Sequence, residues 1–320
     1  MRSLCLLLSL PLLAESGLDL EIARIAEASG GTVGVSAMHL ESGKVFGLRA
    51  TERFPMASVF KLPLAMWFLD QKQIPLGAFT KLNDSSLRPF RSPIAQHWPH
   101  GVMFTFEELL ELTIVESDNT AADALLSEAA VNAYLRKVGI EGIRVDRSEG
   151  EMALDYAGVT NIPPASKWTL DWFNRAMAAV PPDRQRAAAK RFLVDQRDTA
   201  TPGAMLNLLR LLVQGKALSK SRTALLLDLM QKTVPGAARI RAGLPPGTLV
   251  AHRPGTGGDN EGVNLCTNDV GIVTLPNGHH LLLTIFIKGS NEDLDTRERT
   301  ISQITNVLYD TWKDVRLSAP

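Results

Sequence analysis

The sequence predicts a two-lobed chain, part α/β and part all-α, with a sheet lobe built from both chain ends and a helical lobe inserted between them. Three observations carry that expectation. Strand patterns occur near the two ends, at 32–49 and 248–288, and the stretch between them reads as helix. Hydrophobic residues make up 45% of 320 positions, enough for a large core. The formal net charge is zero, which is not the composition of a disordered chain. The expected boundaries are 15–50 and 203–320 for the sheet lobe and 51–202 for the helical lobe.

Taken in order, Met1 and Arg2 precede an apolar run ending at Ala14, followed by Glu15 and Ser16. A positive residue and a short apolar run form a signal-peptide pattern, assigned here to 1–14, and the run is too short to span a bilayer. Export to the periplasm or the medium is therefore expected, with no membrane attachment after processing. Residues 18–28 read as an amphipathic helix. Residues 32–40 and 44–49 read as strands joined across Glu41-Ser42-Gly43. Helical patterns follow at 58–70, 106–115 and 120–129, with Ser117 to Asn119 available to cap the last of these. Two more, at 167–179 and 182–196, are separated by Pro181-Pro182, and Thr201-Pro202 opens another at 203–213. Strands return at 248–253, 262–275 and 280–288, the last two joined by a Pro276-Asn277-Gly278 turn, and 300–312 closes the chain as helix.

Charge and composition exclude several classes of function. Thirty-four basic and thirty-four acidic residues leave no basic excess for nucleic acid. The two cysteines, Cys5 and Cys266, cannot make a disulfide scaffold once the leader is removed. His279 and His280 are strand neighbours facing opposite ways, and His97 and His100 sit among Pro93, Pro99 and Gly101, so no metal and no cofactor is expected.

Three short motifs carry chemistry. Ser58-Val59-Phe60-Lys61 puts a hydroxyl and an amine on one face of a helical turn, and a partly desolvated lysine can take the proton that makes serine a nucleophile. Ser117-Asp118-Asn119, in a loop between helices, offers a proton relay and an amide for a substrate carbonyl. His252-Arg253-Pro254-Gly255-Thr256-Gly257-Gly258, at a strand end, offers a fixed positive charge and a close approach to backbone. Alone, the first two read more readily as helix capping, and the third reads also as a glycine-rich turn. Their combination and order make a far more specific pattern.

With these motifs the chain resembles the class A serine β-lactamases over most of its length. The stretches 54–58, 197–202, 242–247 and 267–273 resemble family landmarks as well. The resemblance implies the β-lactamase/transpeptidase-like fold, an antiparallel sheet flanked by helices, and hydrolysis of the β-lactam amide of penicillins and cephalosporins by a monomer. It implies Ser58 as nucleophile, with Lys61, or Glu149 through a water, as its base. The Ser58 and Thr256 N–H groups would form the oxyanion hole, a donor of this kind being worth about 3 kcal/mol of barrier. Ser117 would pass a proton to the leaving nitrogen, Asn119 would orient the substrate amide, and Arg253 and Arg239 would hold its carboxylate. Within Arg147-Ser148-Glu149-Gly150-Glu151-Met152, the family spacing from Arg147 assigns Glu149 as the general base for the deacylating water, ahead of Glu151.

Several positions depart from the family pattern. Pro254 replaces a hydroxyl residue and removes a backbone donor. Ala153 stands where the family has an asparagine that helps hold water. The omega segment, Glu149 to Arg197, is long, and residues at about 160–196 are expected to form a helical insertion beside the site, as a packed ornament rather than a lid. The alternatives on the same fold are a D-Ala-D-Ala peptidase or esterase, and a penicillin-binding sensor module that acylates and stops.

Overall fold

The computed structural model describes residues 16–98 and 100–317. The expected signal peptide, 1–14, lies outside the described residues. The chain opens with α1 (Ser16–Glu27), β1 (Thr32–His39) and β2 (Lys44–Leu48), followed by the two-residue β3 (Phe54–Pro55). A 3₁₀ turn (Ala57–Phe60) leads into α2 (Lys61–Asp70). Next come β4 (Phe79–Lys81), α3 (Pro93–Gln96), β5 (Met103–Thr105) and α4 (Phe106–Glu111), which widens into a π-turn at Leu112–Glu116. The helices α5 (Asn119–Leu125), α6 (Glu128–Lys137), α7 (Glu149–Ala157), α8 (Leu170–Ala178) and α9 (Pro182–Val194) follow. The chain returns through β6 (Thr199–Ala200), α10 (Pro202–Val213) and α11 (Lys220–Gln231). It ends with β7 (Val250–Thr256), β8 (Asp259–Asn260), β9 (Val263–Thr274), β10 (His280–Ser290) and α12 (Leu294–Trp312).

The main sheet runs β2-β1-β10-β9-β7, every pair antiparallel, with β8 pairing only β9. Both chain ends contribute to it: Val35 of β1 lies opposite Ile285 of β10. Strand alternation sorts β10 onto two cores. Leu281, Leu283, Ile285 and Ile287 pack with Ile22 of α1 and Ile301, Ile304 and Leu308 of α12. Leu282 and Phe286 face the other way and join Phe54, Phe60, Leu64 and Leu208 in the core shared with the helical lobe. A sheet covered by helices on both faces accounts for the almost unbroken apolar run in β10, where a solvated face would have required alternation.

The lobes meet where β3 pairs with β6, Phe54 opposite Ala200. The strands predicted near both ends and the helices α1, α2, α4, α5 and α8 to α10 lie within a few residues of their expected positions, although α5 stops at Leu125 and a separate α6 follows. The sequence reading missed α6, α7 and α11, and it began α12 six residues late. Among the described residues no helix is long and apolar enough to cross a membrane.

Candidate active site

The nucleophile turn sits at the junction of the lobes. Asn268 of β9 donates to the carbonyls of Pro55 (2.8 Å) and Met56 (3.1 Å), tying the approach to the sheet. Ala57 then adopts φ 43°, a left-handed conformation unusual for alanine, immediately before Ser58. Strain of this kind persists only where the surroundings fix it, and it is concentrated at functional sites. β7 approaches closely here. A Cβ on Gly255 would lie 2.5 Å from the Met56 carbonyl oxygen, so this position admits only glycine.

Lys61 is fully buried at the start of α2. Its Nζ donates to Asn119 Oδ1 (2.6 Å) and to the Ser117 carbonyl (2.9 Å), with Ser117 Oγ at 3.4 Å. Glu149 Oε1 lies 2.9 Å away as an ion pair. Burial, reinforced by the Arg253 charge, holds the Lys61 pKa below the ordinary lysine value, although Glu149 opposes the shift. A lysine so placed is closer to the neutral form a base requires.

Ser117 closes the π-turn with φ 63°. Its loop is pinned by Asp118, a buried N-cap whose carboxylate accepts from Ala121 N, Ile94 N and Ser92 Oγ at 2.8–3.1 Å. Ser117 Oγ accepts from Arg253 Nη2 at 2.6 Å. The rest of the Arg253 guanidinium donates to the carbonyls of Ser58 (3.0 Å) and Ile114 (2.9 Å). Burial pushes its pKa down to about 9, so it is still charged at neutral pH.

Glu149 is the first residue of α7. The cap is a reciprocal box in which Ser148 Oγ accepts from Glu151 N (3.2 Å) and Glu151 Oε2 accepts from Ser148 N (2.8 Å). The Glu151 carboxylate is thus committed to the cap on the exposed side, and Glu149 is the glutamate that reaches Lys61. Asp123 receives the N–H groups of Glu149 (2.7 Å) and Gly150 (3.1 Å) and pairs with Arg88 at 2.5 Å. Glu149 Oε1 is buried against Lys61 Nζ, and Glu149 is among the residues that line the pocket.

These groups surround a cavity of about 480 Å³ lined by Ser58, Ser117, Asn119, Glu149 and Thr256, with Met152, Ala153, Tyr156 and Phe192 forming an apolar wall. The geometry departs from two expectations. Arg253 presents no free charge to the cavity and acts on it through Ser117. Arg239 is also committed: it donates to Glu298 (3.0 Å), to the Gly255 and Asn268 carbonyls, and to Thr256 Oγ1 at 2.6 Å, so it meets the pocket only through Thr256. Pro254 is tolerated because β7 is an edge strand.

The family model described as the beta-lactamase enzyme family matches residues 17–312. The chain belongs to the beta-lactamase enzyme family. It is 30% identical to extended-spectrum beta-lactamase PER-1 of Pseudomonas aeruginosa, over 93% of this chain and 87% of that protein. It is 28% identical to beta-lactamase VEB-1 of the same organism, over 92% and 90%. A beta-lactamase crystal structure from Chitinophaga pinensis superposes with a TM-score of 0.76 at 30% identity, covering 92% of this chain and 98% of that one. The chain is a class A serine β-lactamase, and the family assigns it to the hydrolases.

Sequence reasoning missed several residues of this β-lactamase site. Asp123 and Arg88 contact the Glu149 turn from 26 and more positions away, and no local pattern marks them. Arg91, which lines the cavity mouth, was not singled out. Away from the site, His39, Glu41 and His279 converge although His39 and His279 are 240 positions apart. His39 Nδ1 accepts the Ser42 N–H (3.2 Å), which places the proton of the neutral ring on Nε2, facing His279 Nδ1 at 3.3 Å.

Proposed function

We propose that the chain hydrolyses the β-lactam amide of penicillins and cephalosporins through an acyl-enzyme on Ser58, released by water that Glu149 activates. The observation that carries this reading is Lys61 Nζ held between Asn119 and Glu149 beneath a pocket lined by Ser58 and Ser117.

Ser58 Oγ attacks the lactam carbonyl carbon, and its proton passes to neutral Lys61, or through a water to Glu149. The Ser58 and Thr256 N–H groups receive the oxyanion. Ser117, polarised by Arg253, gives a proton to the departing nitrogen as the C–N bond breaks. Asn119 orients the substrate amide, and the positive field of Arg253 and Arg239 draws its carboxylate. The Glu149 carboxylate then takes a proton from water, whose oxygen attacks the ester and regenerates Ser58. A carboxylate poised at the lysine supports turnover over the acylate-and-stop alternative. The N-terminal pattern supports export of the protein to the periplasm or the medium, and we read the mature form as a monomer.

The test mixes purified protein with a chromogenic cephalosporin, follows hydrolysis and weighs the protein. Sustained turnover lost in Ser58→Ala, a covalent adduct trapped by Glu149→Ala, and near-normal turnover in Glu151→Ala are the expected results. A single stable adduct on the unmodified protein would point to a sensor. Activity on peptides or esters alone would point to the peptidase or esterase.

A further inference from the structure

The insertion between α7 and β6 has its own small aromatic core. Trp168 is 5% exposed and packs with Phe173 and Leu154, and its ring stacks on Trp172 at 6.1 Å and 7°. Its Nε1 donates to the Pro163 carbonyl at 2.8 Å, which fixes the ring orientation. The Trp168 ring also meets a cation of the catalytic lobe. The Arg88 guanidinium carbon lies 5.4 Å from the Trp168 ring centroid. Arg88 Nε bonds Asp123 Oδ2, and the two carboxylate oxygens of Asp123 receive the first two N–H groups of α7, those of Glu149 and Gly150.

We propose that the insertion, through Trp168, is a positioning device for Glu149: the indole holds Arg88, Arg88 holds Asp123, and Asp123 holds the turn that carries the general base. The inference rests on the reading of Glu149 given above. Three features separate it from simple packing of a surface ornament. Asp123 is a buried carboxylate at a helix N-terminus, where its charge complements the dipole, and burial pushes its pKa up while Arg88 opposes that shift. Arg88 cannot drift, because Nη1 also donates to the Ser85 and Leu87 carbonyls, both at 3.0 Å. The contact leaves no slack at the helix start either: a Cβ on Gly150 would lie 2.9 Å from Arg88 Nε and 3.0 Å from Trp168 Cζ3. Removing the indole would open space directly behind the clamp. A shift of about 1 Å in a general base can cost up to about a hundredfold in rate, and loss of a supporting partner typically costs ten- to a hundredfold.

The experiment resolves acylation from deacylation by rapid mixing and intact mass on the full chain. Trp168→Ala is expected to slow deacylation about tenfold or more, with acylation within about twofold. The acyl-enzyme should dominate at steady state, and kcat and KM should fall together. Trp168→Phe, which restores an aromatic face for the guanidinium, is expected to recover most of the rate. Trp172→Ala, which alters the same cluster without touching Arg88, should lower thermal stability and leave the ratio of the two steps unchanged. If Trp168→Ala fails to fold, Arg88→Lys tests the same link and should slow deacylation selectively. A folded Trp168→Ala with kcat within twofold, equal slowing of both steps, or an equal effect from Trp172→Ala would overturn the inference. Glu149→Ala, run in parallel, separates the two claims: no trapped adduct there defeats the functional reading itself, whereas an adduct there and none in Trp168→Ala defeats only the role of the insertion.

Discussion

The clasp at the base of the segment between α7 and β6 is a sensitive point for perturbation, and Asp198→Asn isolates its charge. Asp198 Oδ1 accepts from Asp146 N (2.7 Å) and Arg147 N (3.0 Å), and Oδ2 accepts from Arg147 Nε (2.6 Å). Both side chains are buried, at 3% and 6% exposure. Asparagine keeps an oxygen for the two backbone donors and tolerates the φ of 51° at this position. It turns an N–H toward Arg147 Nε, however, so one charge-assisted bond is lost and replaced by two opposed donors. Breaking a buried pair costs about 3–5 kcal/mol when the surviving charge is stranded. Arg147 is not fully stranded, because Asp195 (3.2 Å) and Asp155 still pair with it and Phe192 lies 4.4 Å beneath its guanidinium. The expected cost is therefore about 2–3 kcal/mol. At about 2–4 °C per kcal/mol for a large domain, Tm should fall by roughly 4–12 °C. The assay is thermal denaturation at low and high salt. Added sodium chloride should not rescue the variant, since a buried pair is poorly screened. A Tm within 2 °C of the parent, or a loss confined to low salt, would refute this account of the clasp.

Three further outcomes follow from the same geometry. Cys266 is buried and its thiol is pushed up to about 12, so a thiol reagent at pH 8 should leave the native protein unlabelled and label it fully once it is unfolded. Burial pushes Tyr156 up to about 12 from an ordinary value of 10, so the folded state keeps this proton where the unfolded chain releases it, and the contribution of Tyr156 to stability declines as pH rises from about 10 to about 12. Alkaline titration at 295 nm should accordingly give Tyr156→Phe and the parent equal increments up to pH 10.5. Pro254→Thr restores a hydroxyl on an edge strand where no ladder bond depends on the proline. It should shift stability by less than about 1 kcal/mol while lowering KM for anionic cephalosporins, as urea denaturation and steady-state kinetics would show.

What could be read from the chain and what could not divides along physical lines. The strands were legible because β-branched and apolar runs are bounded by Gly43 and by Pro276-Asn277-Gly278. The three motifs were legible because their chemistry is local: Ser58 and Lys61 need only one helical turn between them. Helix α7 was missed because Ser148-Glu149-Gly150-Glu151 is polar and contains a glycine, yet its capping box was a usable signal, and reading it would have assigned Glu151 to the cap at once. Helix α12 began earlier than expected because its first turns are polar, with Asp293 as the cap. The hydrogen-bond partners of Arg253 and Arg239 were illegible for a different reason. Sequence gives a cation but not its acceptors, and both guanidiniums are engaged by groups that the fold brings in from elsewhere in the chain: carbonyls and a hydroxyl for each, and the Glu298 carboxylate for Arg239. The Trp168–Arg88–Asp123 chain had no local signature at all.

The pairing of Val35 with Ile285 has a kinetic corollary. The amino-terminal hairpin of β1 and β2 cannot join a complete sheet until residues beyond 260 have been synthesised, and a lone hairpin is barely stable in water. Assembly must therefore wait for almost the whole polypeptide, and contacts spanning some 250 positions make the final closure slow. Until then Val33, Val35 and Ala37 present an unpaired apolar edge, so the interval between the end of translation and the docking of β10 is when this molecule is most exposed to aggregation and proteolysis.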